Sequence, residues 1–275
     1  MEALAGASRR IQGRAGVSRV VSGLTRRLAT PLLTAGTYTY RDPWGHLVEA
    51  DVSDYLERAG FLGAHSPAMV RHLDRVVAAG DWVIDVGANV GLVTSRLCQL
   101  VGRTGAVWAV EPLPRNVERL EALRARNGLD QLTVLSVALS SEPGTARLRL
   151  PVRGGGAYGS FVATWETGAE IDVATARLDD LVAERRPTGR LGLVKIDAEG
   201  FEPEVVAGAT VTLTTLRPVV LCEFNDILLQ QAGTSSVELL ARFAELGYAP
   251  LDGPATKLAG RNVDLLLAHG AGGRP

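Results

Sequence analysis

Lysine is nearly missing from this chain. Of 29 basic residues, only Lys195 and Lys257 are lysines. With abundant alanine, glycine and leucine, that bias reads as the coding composition of a GC-rich genome and says little about chemistry. Cysteine is scarce as well. Cys98 and Cys222 lie in apolar patterns without metal-ligand spacing and fit a reducing cytoplasm. No excess of either charge exists. A formal net charge of −1 gives no global field for nucleic acid or an anionic membrane, so neither is an expected partner. No apolar run reaches the ~20 residues of a membrane span. The four histidines, His46, His65, His72 and His269, are scattered, and a lone histidine is usually a surface or packing residue. His46 and His65 lie upstream, where a lid can fold over a site. They are second-rank base candidates.

What is present is enough for one large domain or two small ones: 275 residues, 46% of them hydrophobic. Residues 1–30 carry Arg9, Arg10, Arg14, Arg19, Arg26 and Arg27 against one acid, Glu2. Without a continuous apolar stretch this is no secretory signal; it reads as a basic leader helix, and membrane contact is not expected of it. Residues 1–79 are therefore set apart as a basic leader with a lid or helical extension, and 80–270 as the main domain.

From residue 82 short apolar runs alternate with helical patterns. "WVIDVG", "AVWAVEP" and "LTVLSVAL" read as strands. Between them, residues 91–101 and "PRNVERLEALRARNG" read as helices, the latter opened by Pro114 and closed by Asn127-Gly128. That order predicts a parallel sheet with helices on both faces. "TARLRLPV" alternates like a strand, and "RGGGAYGSF" (153–161) is a glycine-rich loop. "LGLVKIDAEG" and "PVVLCEFN" are the fourth and fifth buried strands, and "YAPLDG" to "VDLLLAH" predicts a closing β-pair.

The stretch "VIDVGANVG" decides the ligand. A dinucleotide loop needs close glycine approach to a pyrophosphate at a helix N-terminus. Here Ala88, Asn89 and Val90 separate Gly87 from Gly91, so a side chain occupies the middle glycine position. Asp85 also ends the strand. A carboxylate there repels a pyrophosphate but attracts the cationic amino group of a methionyl moiety. Glu111 ends the second strand and can accept hydrogen bonds from ribose hydroxyls. The third strand ends at Val137, Ala138 and Leu139, small enough to hold an adenine. The expected cofactor is S-adenosylmethionine, with Asp85, Gly87, Asn89, Gly91, Glu111 and Ala138 around it. A nicotinamide-dependent oxidoreductase remains the alternative from another class.

With those residues in place the sequence resembles class I S-adenosylmethionine-dependent methyltransferases, and more closely the FkbM family. The matching stretches are "VIDVGANVG", "AVEPLPRNVERLEALRARNG", "VALSSEPGTARL", "ARLDDL", "LVKIDAEGFEPEVVAGA" and "PVVLCEFN". They run from about residue 80 to 225, and "KIDAEGFE" is the most specific. The resemblance implies a Rossmann-like α/β fold, with a mostly parallel seven-stranded sheet and an antiparallel C-terminal pair. It also implies methyl transfer to a hydroxyl of a small metabolite or glycosyl group in secondary metabolism. Before residue 80 the chain departs from the pattern, with "FLGAHSPAMV" where an acid is expected.

Ligands of open α/β sheets sit beyond the carboxyl ends of the strands. Period-two alternation puts Lys195, Asp197 and Glu199 on one side if the fourth strand persists that far. Asp197 and Glu199 are the candidates to take the acceptor's proton or orient the acceptor. Glu202, just before Pro203, reads as a helix-start acid. Tyr158 and Ser160 in the glycine-rich loop, with His65, are the expected acceptor contacts. No metal is expected. The alternative is a magnesium ion on Asp197, Glu223 and Asn225, an oxygen set like that of catechol-type methyltransferases. N- or carboxyl methylation on the same fold is the alternative reaction. "DAEG" is not the "NPPY"-like tetrad that favours amino nitrogens.

Overall fold

The computed structural model describes residues 34–63, 66–151, 159–162, 167–252 and 258–270. Strands β3 (Trp82–Val86), β4 (Ala106–Val110), β5 (Leu132–Leu135), β9 (Leu191–Ile196) and β10 (Val219–Asn225) run parallel. β12 (Asn262–His269) adds antiparallel to β10, and β11 (Tyr248–Pro250) pairs antiparallel with β12. The resulting order is β5-β4-β3-β9-β10-β12-β11. The expected seven-stranded, mostly parallel sheet with a closing antiparallel pair is therefore present. β3, the first strand of the main sheet, is the middle of its five parallel strands; the strand order reverses there, and that is where a doubly wound sheet opens a crevice.

Both faces are covered. Alternation along β3 sends Val83 to one core and Trp82, Ile84 and Val86 to the other. On the Val83 face pack helices α2 (Pro67–Val76), α3 (Leu92–Val101) and α4 (Pro114–Asn127), through Leu73, Leu97 and Leu120. On the other face lie α5 (Leu178–Arg185), α6 (Glu202–Ala207), α7 (Thr210–Leu216), α8 (Asp226–Gln231) and α9 (Ser236–Glu245). Leu178, Leu213, Leu229 and Phe243 are the buried contacts there. Each such side chain stabilises the fold by about 1.5–3 kcal/mol through burial. Sequence signals set the helix ends. Pro114 opens α4, and Gly128 closes it at φ +58°.

Three parts differ from expectation. The segment before residue 80 is not only helical. It holds a hairpin, β1 (Thr37–Arg41) with β2 (Leu47–Asp51), then helix α1 (Tyr55–Phe61) and α2. Its turn is closed by the Asp42 carboxylate, which accepts from the Trp44 and His46 amides at 3.0 and 2.9 Å. The leader, residues 1–33, lies outside the described residues.

The third expected strand is two. After β5 the chain turns away, and β6 (Ala138–Leu139) joins a second sheet of order β6-β8-β7. That sheet contains β7 (Gly144–Pro151) and a long strand that the sequence reading did not identify, β8 (Thr167–Ala176). Its inward residues Leu148 and Val173 form a small separate core with Leu113 and Ala138.

Candidate functional site

A cavity of about 500 Å³ opens at the carboxyl ends of β3, β4, β9 and β10. Its floor is the glycine loop after β3, from Val86 to Val90. One side is Glu111 and Pro112 after β4, with Val137 to Leu139 beyond. The other is Lys195, Asp197, Ala198 and Glu199 after β9, with Glu223 and Asn262 further along. Leu148, Gly159 and Phe161 come from the small sheet.

The glycine loop is held by its neighbours. Gly87 has φ +69°, and a Cβ there would lie 1.8 Å from the Asp197 carbonyl oxygen. Only glycine allows the β3 and β9 loops to touch. Asn89 adopts a left-handed φ of +52°, which asparagine tolerates better than most residues. Its amide donates to Glu111 Oε2 at 2.8 Å, and the Leu113 amide donates to Oε1 at 2.9 Å. Glu111 is 6% exposed, and burial raises its pKa against the opposing pull of those amides. Gly91 begins α3 at φ +88°, and a Cβ there would press on Leu120 and Leu123 at 3.0 and 3.1 Å. Ala138 lines the cavity beyond Glu111.

Asp85 stands elsewhere than expected. It is fully buried behind the loop and is not among the lining residues. Pairing of β3 with β9 puts it opposite Lys195. Its Oδ1 meets Lys195 Nζ at 3.2 Å, and its Oδ2 accepts from Thr94 Oγ1 at 2.7 Å. So the carboxylate at the end of β3 faces an internal ammonium rather than the space a methionyl amine would fill.

On the β9 side, Lys195 and Asp197 do share a side, with Nζ to Oδ2 at 3.4 Å. The strand ends at Ile196, and Glu199 reaches the cavity through a turn in which it takes φ +51°. A non-glycine residue in that region is strained unless its surroundings hold it there. Glu202 does much of the holding. It is fully buried, and its Oε1 accepts from the Ala198 and Gly200 amides at 2.9 and 3.1 Å. Burial, helped by Asp197, pushes the Glu199 carboxyl up to about 7, and burial does the same to Glu202. Glu223 is pushed up to about 9 by burial, Asp197 and Glu199.

The expected acceptor contacts fare differently. Tyr158 and His65 lie outside the described residues. Ser160 is buried, and its hydroxyl donates to the Glu199 carbonyl at 2.8 Å and accepts from the Val162 amide at 3.2 Å. It fastens the loop to the β9 turn, while neighbouring Phe161 faces the cavity and packs on Phe201 with ring centroids 4.5 Å apart. His46 pairs with Ser95 on α3 at 2.7 Å, outside the lining. Asn225, the third residue of the magnesium alternative, caps α8 by accepting from the Leu228 amide at 3.4 Å. Among the described residues no group of three or more His, Cys, Asp or Glu side chains is arranged to hold a metal ion. Lys195, Glu202 and Phe161 were not read as site residues from sequence. For Lys195 a signal existed: a charge inside an otherwise apolar strand.

The strand order, the glycine loop and an acid at the end of β4 define a doubly wound fold of the class I methyltransferase type. The methyltransferase FkbM domain family matches residues 85–250, more than half of the chain, and the chain belongs to that family. Its cofactor is S-adenosylmethionine. A relative, 31-O-demethyl-FK506 methyltransferase FkbM of Streptomyces tacrolimicus, is 32% identical over 174 residues. The match covers 54% of this chain and 66% of that relative, just under two thirds of its length. Similar solved structures include a methyltransferase FkbM from Methylobacillus flagellatus KT, at TM-score 0.43 and 14% identity. That overlap covers 77% of this chain and 52% of the other. Another is Aeropyrum pernix fibrillarin with bound S-adenosyl-L-methionine, at TM-score 0.43 and 12% identity, covering 85% and 94%. Among the described residues no helix is long and apolar enough to cross a membrane.

Proposed function

We propose that this chain is an O-methyltransferase that methylates a hydroxyl of a small metabolite or glycosyl group, in secondary metabolism. Residues 80–270 act as the transferase domain, and the hairpin and helices before them act as an accessory layer. The observation that carries the reading is the carboxyl-rich lining of the cavity. Glu111, Asp197, Glu199 and Glu223 line it, and the one lining cation among the described residues, Lys195, is taken up by its own contacts. Such a set of acceptors, whose raised carboxyls ionise more readily once a cation sits beside them, suits a sulfonium and an ammonium and disfavours a pyrophosphate. Glu111 holds the ribose hydroxyls, the loop from Gly87 through Asn89 to Gly91 carries the methionyl part, and Ala138 faces the adenine. Asp85 acts from behind the loop, through Lys195.

Bound S-adenosylmethionine supplies an electrophilic methyl carbon. The chain's own task is to align an acceptor oxygen and to accept its proton. Glu199, with a carboxyl near 7, is suited to take that proton at neutral pH. Asp197, about one-third exposed, orients the hydroxyl. The relative's name, which specifies an O-demethyl acceptor, supports oxygen as the atom methylated.

The test uses purified protein, methyl-labelled S-adenosylmethionine and extract from the producing cells. The expected product is an ether, whose label survives mild base. Release of labelled methanol in base reveals a carboxyl ester and overturns O-methylation of a hydroxyl. Label on a basic nitrogen overturns it equally.

A further inference from the structure

In a chain with 27 arginines and two lysines, the single buried cation among the described residues is a lysine. Lys195 is 3% exposed. Its Nζ lies 3.0 Å from the Gly87 carbonyl oxygen, 3.2 Å from that of Val86, 3.2 Å from Asp85 Oδ1 and 3.4 Å from Asp197 Oδ2. Two carbonyl oxygens thus accept hydrogen bonds from the ammonium and two carboxylates lie at ion-pair distance, so four oxygens converge on one point. A compact ammonium can do this, whereas a planar guanidinium spreads its donors over a wide fork.

An ion pair with Asp85 alone would need none of the other three contacts. Two of the acceptors belong to the glycine loop, which forms the cavity floor. The fourth belongs to Asp197, whose carboxylate also faces the cavity. Gly87 and the Asp197 carbonyl already touch across the same gap. Without the ammonium, two carboxylates and two carbonyl oxygens would point at one another, and their repulsion would drive the loops apart. We propose that Lys195 is a positioning residue for methyl transfer, a buried cation that holds the glycine loop after β3 and the Asp197 carboxylate in one fixed relation. The proposal rests on the methyltransferase reading of the cavity, not on which acceptor is used.

Lys195→Met alone would strand the buried Asp85 charge and unfold the chain. The informative variant is therefore Asp85→Asn with Lys195→Met, which removes both charges and keeps an acceptor for Thr94. Asp85→Asn alone is its control, and Lys195→Arg keeps the cation in the wrong shape. All are titrated with S-adenosylmethionine and S-adenosylhomocysteine well below their melting temperatures. Amide exchange at residues 86–91 and 197–200 is followed without ligand. Each Lys195 variant should bind at least about tenfold more weakly than its own Lys195 parent, Asp85→Asn for the double variant and wild type for Lys195→Arg. The two loops should exchange faster together while the amides of β4 and β5 stay protected. A merely structural lysine would lower the melting temperature and leave both readouts unchanged. If either folded Lys195 variant binds as its parent does and its loops exchange no faster, the proposal is overturned. If wild type binds neither ligand, the methyltransferase reading itself falls and takes this role with it.

Discussion

Glu111 shows how much one side chain can be asked to do. Its two oxygens accept the Asn89 and Leu113 amides, the Asn116 side chain is a third partner, and the carboxylate still lines the cavity. Hydrogen bonds to a charged acceptor contribute about 1.5–3 kcal/mol each. Glu111→Ala should therefore weaken S-adenosylmethionine at least about tenfold by calorimetry. Loss beyond that would reflect the freed Asn89 and Leu113 amides rather than the ribose alone. Glu199 sets a different expectation. Its carboxyl is raised to about 7 by burial and by Asp197 and Glu202, and a base must be deprotonated to act. Turnover should rise with pH through an acid limb near 7. Glu199→Gln should flatten that limb and slow transfer by about 10²–10⁴-fold. An unchanged pH profile in Glu199→Gln would move the proton-accepting role to Asp197. Glu111 and the glycines were legible because strand ends and turns leave a mark at fixed spacing. The burial of Asp85 was not, because whether a strand-end acid faces out or in depends on the residue opposite it on β9, and no spacing rule within one strand encodes that.

At the scale of elements, loops and hairpins decide the outcome. The β3 and β9 loops meet where Gly87 lacks a side chain. Gly87→Ala would place a Cβ 1.8 Å from a backbone oxygen, at a φ that L residues rarely adopt. The expected result is loss of S-adenosylhomocysteine binding together with a drop of more than about 2 kcal/mol in unfolding free energy, read by denaturant titration. A variant with normal stability and affinity would show that the loops do not pack this way. α3, α4 and α9 and the five parallel strands could be read because they are clearly periodic or continuously apolar, and glycine marks most of their ends. β8 escaped because few of its residues are large and apolar. Its support comes instead from cross-strand charge pairs, Arg147 with Asp172 and Arg149 with Glu170, and such pairs exist only once β7 lies alongside. The β1–β2 hairpin did carry a signal, the alternation of "TYTYR" and the Asp-Pro-Trp-Gly turn, which the expectation of a helical extension obscured.

For the whole molecule, raised carboxyl pKa values carry a cost that depends on pH. Glu199 and Glu202 sit near 7 and Glu223 near 9, against an ordinary value of 4.5. Between the ordinary and the raised value the folded state holds more protons than the unfolded chain. Stability therefore falls as pH rises through that window. The ligand-free protein should be most stable near pH 5 and melt at progressively lower temperature toward pH 9. Glu223→Gln should raise the melting temperature at pH 8.5 and leave it nearly unchanged at pH 5. A flat or rising profile between those limits would contradict the burial of these acids. Bound S-adenosylmethionine, itself cationic, should shrink the decline.

The departure of the chain from the main sheet after β5 has one more consequence. The second sheet, β6 with β8 and β7, and the residues beside it supply Ala138, Leu139, Leu148, Gly159 and Phe161 to one wall of the cavity. The ends of the main-sheet strands supply most of the rest, with Leu92, Val93, Phe201 and Val205 from the helices that follow them. A catalyst built this way is a socket with an interchangeable cover. Exchanging the hairpin between residues 144 and 176 while keeping Ser160, the strap to the β9 turn, would re-cut that wall and leave the ends of β3 and β4 as they are. One scaffold could thus diversify its products by exchanging a single splice.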